Sequence, residues 1–389
     1  MAYSDVVVVG AGVVGAACAE ALSAAGSTVT VLDRGAPASG TTAAGEGNIL
    51  VSDKGPGAEL ELARASRSRW PELLAELREE LGPALADVEW EPKGGVVVAT
   101  SAESAAPLAE FAAAQRAVGV DARQVTPAEA AELEPHLTPR VVTAVHYPED
   151  AQLQPVLAAT TLLAAVRHRG GQVRAGVAAL GVERGANGAV SGVRTSEGVL
   201  PCGAVVNACG PWAGAFAEAA GAPIAVLPRR GMVLVTGPLP KTVWHKVYDA
   251  DYVGAVTSGE AGVQTSTVIE STGAGTVLIG SSRQLVGLDE TMRVEVLREL
   301  ARKAVALFPV LAGVPVLRAY GGFRPYAPDH LPVIGADPRL PGLWHATGHE
   351  GAGIGLAAAT GRLIAELVTG RPTHVDAEPF RVDRPGVLL

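Results

Sequence analysis

Glycines at positions 10, 12 and 15 fit the spacing G-x-G-x-x-G, and an acid, Asp33, follows 23 residues after the first of them. Directly after a strand, the first glycine of such a motif permits a tight turn. The second lets a diphosphate approach the backbone, and the third lets the following helix pack on the strand. The helix start offers unpaired N–H groups and a partial positive charge to the diphosphate. An acid closing the next strand accepts hydrogen bonds from ribose hydroxyls, which is the place of Asp33. The pattern predicts dinucleotide binding. A second glycine cluster, GHEGAGIG at 348–355, opens another apolar helix and makes another site for negative charge. Between the two clusters in chemistry stands Arg324, in GGFRPYAPD. A guanidinium grips a carboxylate through two parallel hydrogen bonds, which orients as well as attracts. The competing reading of Arg324 is a structural ion pair with Asp329 or Asp337. His349 and Glu350 either face a ligand or serve the fold.

The elements that must position these residues can be read around them. From Val6 to Leu32 only Glu20 is charged, a run of 27 residues, long enough to span a bilayer. The run is not a signal peptide, because MAYSD before it carries no basic residue. It is broken by Gly10, Gly12, Gly15 and Gly26, so it resolves into strand, glycine turn, helix and strand, a βαβ unit. Cys18 lies on that helix and reads as packing. Further along, 58–81 is expected as an amphipathic helix, 88–100 as a hairpin around Gly94-Gly95, and 103–118 and 127–135 as helices. A helix and strand fill 154–176, and Asn187-Gly188 marks a hairpin. Strands follow Pro228, then a helix at 289–309.

Composition narrows the function. The 389 residues can bury a sizeable core. A net charge of -9 argues against nucleic acid as a partner. Cys18, Cys202 and Cys209 form no C-x-x-C pair, so neither a metal site nor a disulfide framework is expected, and the default compartment is the cytoplasm.

The loop after the ribose acid, ASGTTAAGEGNILVSDKGPG at 38–57, is polar and glycine-rich where a nicotinamide domain would proceed to helix and strand. With the N-terminal motif, VVNACGPWAG at 205–214, GGFRPYAPDHLPVIG at 321–335 and GHEGAGIG, it makes the chain resemble the D-amino-acid oxidase family of FAD enzymes. That family includes glycine and sarcosine oxidases, D-amino-acid dehydrogenase, and flavin subunits of heteromeric dehydrogenases and of hydrogen cyanide synthase. The match runs in order across essentially the whole chain.

The resemblance implies a mixed α/β fold, with a Rossmann-like FAD-binding domain interleaved with a substrate domain on a large mixed sheet. Residues 1–54, 140–224 and 325–389 would form the first, and 55–139 and 225–324 the second. It implies one noncovalent FAD, touched by Gly10, Gly12, Val13, Val14 and Gly15, by Asp33 and Arg34, and by Thr41, Thr42, Gly47, Asn48 and Ile49 of the loop. Val177, Gly210 and Trp212 would lie beside it, Trp212 reading equally as a core residue. Gly351 and the backbone N–H groups of Gly353, Ile354 and Gly355 would meet the charge that develops on the reduced flavin. Arg324 would bind the substrate carboxylate, with Tyr248, Tyr252 and His349 as further candidates; aromatic strand residues also read as core.

The implied reaction is oxidation of the C–N bond of an α-amino or N-substituted amino acid by hydride transfer from Cα to flavin N5, giving an imine that water hydrolyses. No general base is required if the amine arrives deprotonated. Covalently flavinylated relatives carry a Cys where Gly322 falls and a Lys where Leu278 falls, so noncovalent FAD is implied and fast oxygen use is not. Oxygen, a quinone or a partner subunit would then take the electrons, from a homo-oligomer or a heteromeric complex. No transmembrane segment is expected.

Overall fold

The computed structural model describes residues 3–250 and 262–389; Tyr252 lies outside the described residues. Two eight-stranded sheets form its frame. In the first, Ser4–Val9 runs parallel between Val29–Asp33 and Gly198–Asn207. Leu343–Thr347 and Gln172–Ala175 extend it in parallel on either side, and Val333–Ala336 closes one edge antiparallel. DVVVV needs no polar alternation because both faces are covered. Val6, Val8, Val29 and Val31 pack into the main core with the helix Val13–Ala24, while Val7, Val9 and Leu32 pack into a second cluster under the hairpin Ala179–Arg184 and Val190–Thr195. The expected βαβ unit and the Asn187-Gly188 hairpin are both present.

Small residues let the helical layer close tightly. The helix Gly353–Val368 crosses Val13–Ala24 so closely that a Cβ on Gly361 would collide with the Ala17 carbonyl. With its leading turn, Glu350–Val368 is apolar and long enough to cross a membrane, yet 67% of it is buried inside the protein. The expected helix at 58–81 is Ala58–Leu81, and it packs its Trp70 indole N–H on the Ile354 carbonyl at 3.3 Å.

The second sheet runs Val316–Tyr326, Leu227–Thr236, Val277–Arg283, Gln264–Ser271, Lys246–Asp249, Gly95–Ala99, Thr143–Tyr147 and Arg123–Val125. One face is closed by the helix Val294–Leu307, whose Val296, Leu300, Ala304 and Leu307 recur at helical spacing. One expectation fails here. No hairpin forms around Gly94-Gly95: Gly95–Ala99 pairs with Thr143–Tyr147 and Lys246–Asp249, and Glu91 bridges instead to Gln152. Long-range pairing outbids the local turn because Val96, Val97 and Val98 are all fully buried between those partners. For the same reason Thr143–Tyr147 is hydrogen-bonded into the second sheet.

Candidate active site

One cavity of about 690 Å3 is lined from both sheets and receives the starts of two helices. Its first part is built from backbone. Gly10 has φ +109°, and a Cβ there would collide with the Ala208 carbonyl, so only glycine makes this turn. A Cβ on Gly15 would strike the Gly10 carbonyl, which explains the third glycine as close helix–strand packing rather than ligand contact. Asp33 does not wait free for a ribose. Its carboxylate accepts from Ala11 N and Gly35 N, both at 2.8 Å, and so fixes the glycine turn while it lines the cavity. Thr42 Oγ1 accepts from Val13 N at 3.0 Å, standing in for the cap that Gly12 lacks. Thr41 Oγ1 donates to the Phe323 carbonyl at 2.6 Å. The two threonines are thus bound into the protein, and in doing so they tie the loop to the start of Val13–Ala24 and to the strand Val316–Tyr326.

Val177, whose N–H bonds the Asp33 carbonyl at 2.9 Å, and Gly210 also line this part. Trp212 stacks under the Arg34 guanidinium, 4.2 Å from the ring centroid, and both line the cavity. Cys209 lines it too, with its thiol pushed up to about 12 by burial, so it offers no thiolate. Gly47 and Ile49 do not line the cavity. A Cβ on Gly47 would collide with the Leu153 carbonyl, and Ile49 is core; both serve the packing of the loop. Gly355 similarly packs on the Asn48–Leu50 backbone.

The other part is built from side chains. Arg324 lines the cavity beside Gly351 and donates from Nη1 to the Ser282 carbonyl at 2.8 Å. The two acids that sequence offered as its partners are engaged elsewhere: Asp329 pairs with Arg384 at 2.5 Å, and Asp337 with Arg339 at 2.8 Å. Glu350 is held by Arg229 Nη1 at 2.6 Å and by His330 Nδ1 at 3.3 Å. Burial pushes its carboxyl up, but the His330 hydrogen bond and the Arg229, Arg283 and Arg324 guanidiniums outweigh that and hold it below the ordinary range. It is therefore an anchor for Arg229, not a base.

His349 also lines the cavity, yet its Nε2 meets the Thr360 hydroxyl at 3.0 Å, and burial pushes its pKa down to about 3. It is a neutral tether between turn and helix, not an acid. Tyr248 is no cavity wall. It is fully buried in the main core with its hydroxyl on Ser52 Oγ, and burial pushes the phenol well above its ordinary value.

Sequence reading passed over two residues here. Arg229, 1% exposed, stands in no motif, and Glu46 lies in the 38–57 loop without a role there. Neither sits in a spacing pattern; each is recognised by what surrounds it in space.

The cavity fits a dinucleotide flavin. Val13–Ala24 and Gly353–Val368 both begin on it without a side-chain cap from their own segments. They adjoin: a Cβ on Gly353 would lie 3.5 Å from His349 and 3.7 Å from Val14. Two helix starts facing one space, only the first of them capped, by Thr42, suit a ligand that carries negative charge at two places.

Comparison with known proteins agrees. The profile of the family described as FAD dependent oxidoreductase matches residues 5–367. The chain is 29% identical over 387 residues to the glycine oxidase of Geobacillus kaustophilus, covering 98% of this chain and 97% of that one. It is 28% identical over 419 residues to the hydrogen cyanide synthase subunit HcnC of Pseudomonas aeruginosa, covering 98% and 96%. The crystal structure of the Geobacillus kaustophilus glycine oxidase superposes with a TM-score of 0.88 at 27% identity over 99% of each chain. The L-proline dehydrogenase of P. horikoshii superposes at 0.86 with 25% identity, covering 97% of this chain and 96% of that one. The family match over residues 5–367, on a fold shared end to end with these enzymes and with a cavity that receives two helix starts, places the chain in the D-amino-acid oxidase family of FAD-dependent oxidoreductases.

Proposed function

We propose that this protein oxidises the C–N bond of an α-amino acid or N-substituted amino acid, with Arg324 holding the substrate carboxylate. The observation that carries the reading is that Arg324 opens into the same cavity as the Gly10 to Val14 turn. A carboxylate on Arg324 is thereby fixed beside the cofactor by a two-point grip. FAD, when bound, supplies the acceptor for the electron pair that leaves the substrate, whose imine product takes up water. The chain's own residues orient: the Ser282 carbonyl and the Gly231 backbone cradle the Arg324 guanidinium, and Glu350 keeps Arg229 in place beside it.

FAD is held noncovalently in this reading. A side chain at Gly322 would collide with the Ala44 methyl, so the position that bears the linkage in other family members has no room for it. The first sheet and its helices serve FAD and the second sheet roofs the substrate. Arg324, on the edge strand Val316–Tyr326 of the second sheet, lines the cavity that both sheets share.

A second arrangement has support of its own. The likeness to HcnC, a subunit by name, extends over 98% of this chain, which favours work as the flavin subunit of a heteromeric amino-acid dehydrogenase. Anaerobic bleaching of the bound flavin by glycine, sarcosine, proline, hydroxyproline and D-amino acids tests the reaction class. Bleaching by at least one is expected, and none of the panel acting would overturn it. Reoxidation by air within seconds would then speak for a self-sufficient oxidase, and persistence of the reduced flavin for an external or subunit acceptor.

A further inference from the structure

Glu46 is a buried acid that the fold alone does not explain. Its side chain is 10% exposed and lines the cavity that holds Arg324. Oε2 accepts from Asn48 Nδ2 at 3.2 Å and lies 3.8 Å from Lys246 Nζ. Oε1 is buried and accepts no hydrogen bond among the described residues. An unmet acceptor on a buried acid is costly unless a ligand or a water in the cavity supplies the donor.

The groups facing Glu46 come from four segments. Asn48 follows it in the loop. Lys246, on Lys246–Asp249, is shared with Glu270 of Gln264–Ser271 at 2.6 Å, so one ammonium serves two carboxylates. Tyr320, on Val316–Tyr326, is a phenol whose ionisation is opposed first by burial and then by Glu46 and Glu270. The Gly280 backbone lies directly beneath the Glu46 carboxylate, where a Cβ would collide with Oε1. Glu270 also has an unpaired buried oxygen, but it does not line the cavity. The anion of Glu46 and the cation of Arg324 thus rest on one strand, over Gly280 and over the Ser282 carbonyl two residues on.

We propose that Glu46 receives the substrate's amino group: its carboxylate binds the ammonium and takes one of its protons, so that the neutral amine is what is oxidised. This rests on the reading that the substrate is an amino acid. In water such a substrate is a zwitterion, and its nitrogen needs a lone pair before the C–N bond can be oxidised. The transfer balances: R2NH2+ and Glu46 carboxylate become R2NH and Glu46 carboxylic acid, and Glu46 returns the proton to solvent between turnovers. Arg324 reads the carboxylate and Glu46 the nitrogen, a two-charge match to the zwitterion.

The test uses the FAD-loaded protein and its Glu46→Gln variant, which keeps the shape and the Asn48 contact region. Binding is measured by calorimetry with two unreactive carboxylates, trimethylglycine with a fixed cation and (methylthio)acetate with none. The variant should weaken trimethylglycine at least about 10-fold and (methylthio)acetate by less than about 2-fold, since only the first meets the lost charge. In turnover, kcat/KM of the variant should fall about 100-fold at pH 7, because general-base assistance is typically of that order or more. The loss should shrink as pH climbs toward the substrate amine's own pKa, where solvent supplies the neutral form.

Equal weakening of both ligands, or a parental pH profile in a variant that retains FAD, would overturn the assignment. If no amino acid reduces the parental flavin, the reaction class fails while the ligand pair still reports on Glu46. Should Glu46→Gln lose FAD, Glu46→Asp carries the same comparison, with trimethylglycine binding and low-pH turnover expected to be kept in part.

Discussion

The two parts of the cavity are built by different means. Around Gly10 to Val14 the walls are backbone, and side chains such as Asp33 and Thr42 spend their polar atoms on holding that backbone in place. Around Arg324 the walls are side chains from strands far apart in sequence, and the backbone holds them: Ser282 supports Arg324, and Gly280 lies under Glu46. The backbone part recognises what all members of the family share, a diphosphate-bearing cofactor. In the function proposed above, the side-chain part would recognise what differs between members, the substrate. Mutations should therefore separate the two cleanly: damage to the first part should cost cofactor, and damage to the second should cost turnover with cofactor in place.

The largest separation is expected at Gly10. Gly10→Ala puts a methyl into the Ala208 carbonyl at a positive φ that alanine adopts poorly, so the turn must move. The purified variant should contain little flavin, read as absorbance near 450 nm per mole of protein, and added FAD should restore it only in part. Full flavin content in Gly10→Ala would mean that the turn is not what holds the cofactor.

Arg324→Ala is the converse. Losing a desolvated partner of a charged ligand costs roughly 2–5 kcal/mol, or about 30-fold to several thousandfold in the rate of flavin reduction at subsaturating substrate. Flavin content should remain near parental, because the Gly10 turn is untouched. Arg324→Lys should rescue only part, since an ammonium keeps the charge and loses the fork. A decarboxylated amine should be nearly indifferent to either change. A variant that binds FAD and oxidises the amino acid at the parental rate would move the carboxylate to another guanidinium, Arg229 being already committed to Glu350.

The same contrast explains what could be read in the sequence. Local spacing encodes backbone turns, so Gly10, Gly12 and Gly15 with Asp33 were legible, as was the glycine turn at 348–355. Arg324 could be singled out as a candidate because a single cation in an apolar stretch needs a reason, and it does line the cavity. Glu46 was not, since its meaning lies in Lys246, Gly280 and Glu270, which are 200 or more positions distant and meet it only across the second sheet. The hairpin expected at Gly94-Gly95 failed for a related reason: its strand finds partners at 143–147 and 246–249 that local turn chemistry does not announce. Tyr248 and His349 carried the right residue types for chemistry, but burial and their bonds to Ser52 and Thr360 give them structural parts.

The smallest effect, and the finest test of the contrast, is at Thr42. Its hydroxyl caps Val13 N, one of the orphan donors at the start of Val13–Ala24, and the side chain is 6% exposed. If Thr42 belongs to the scaffold, Thr42→Val keeps the shape, removes the acceptor, and costs about 1 kcal/mol of stability, the typical worth of a helix cap. Thr42→Ser should be nearly neutral, because the acceptor survives. FAD affinity should then change by no more than about 10-fold, the factor that 1.4 kcal/mol represents, since the helix start itself still faces the diphosphate. Chemical denaturation of the FAD-loaded protein and flavin-release titration give the two numbers separately. A fall in FAD affinity well beyond that factor, with stability unchanged, would show that the Thr42 hydroxyl spends its own proton on the cofactor. The backbone part of the cavity would then recognise its ligand with a side chain after all, and the division between the two parts would hold for Gly10 but not for the loop behind it.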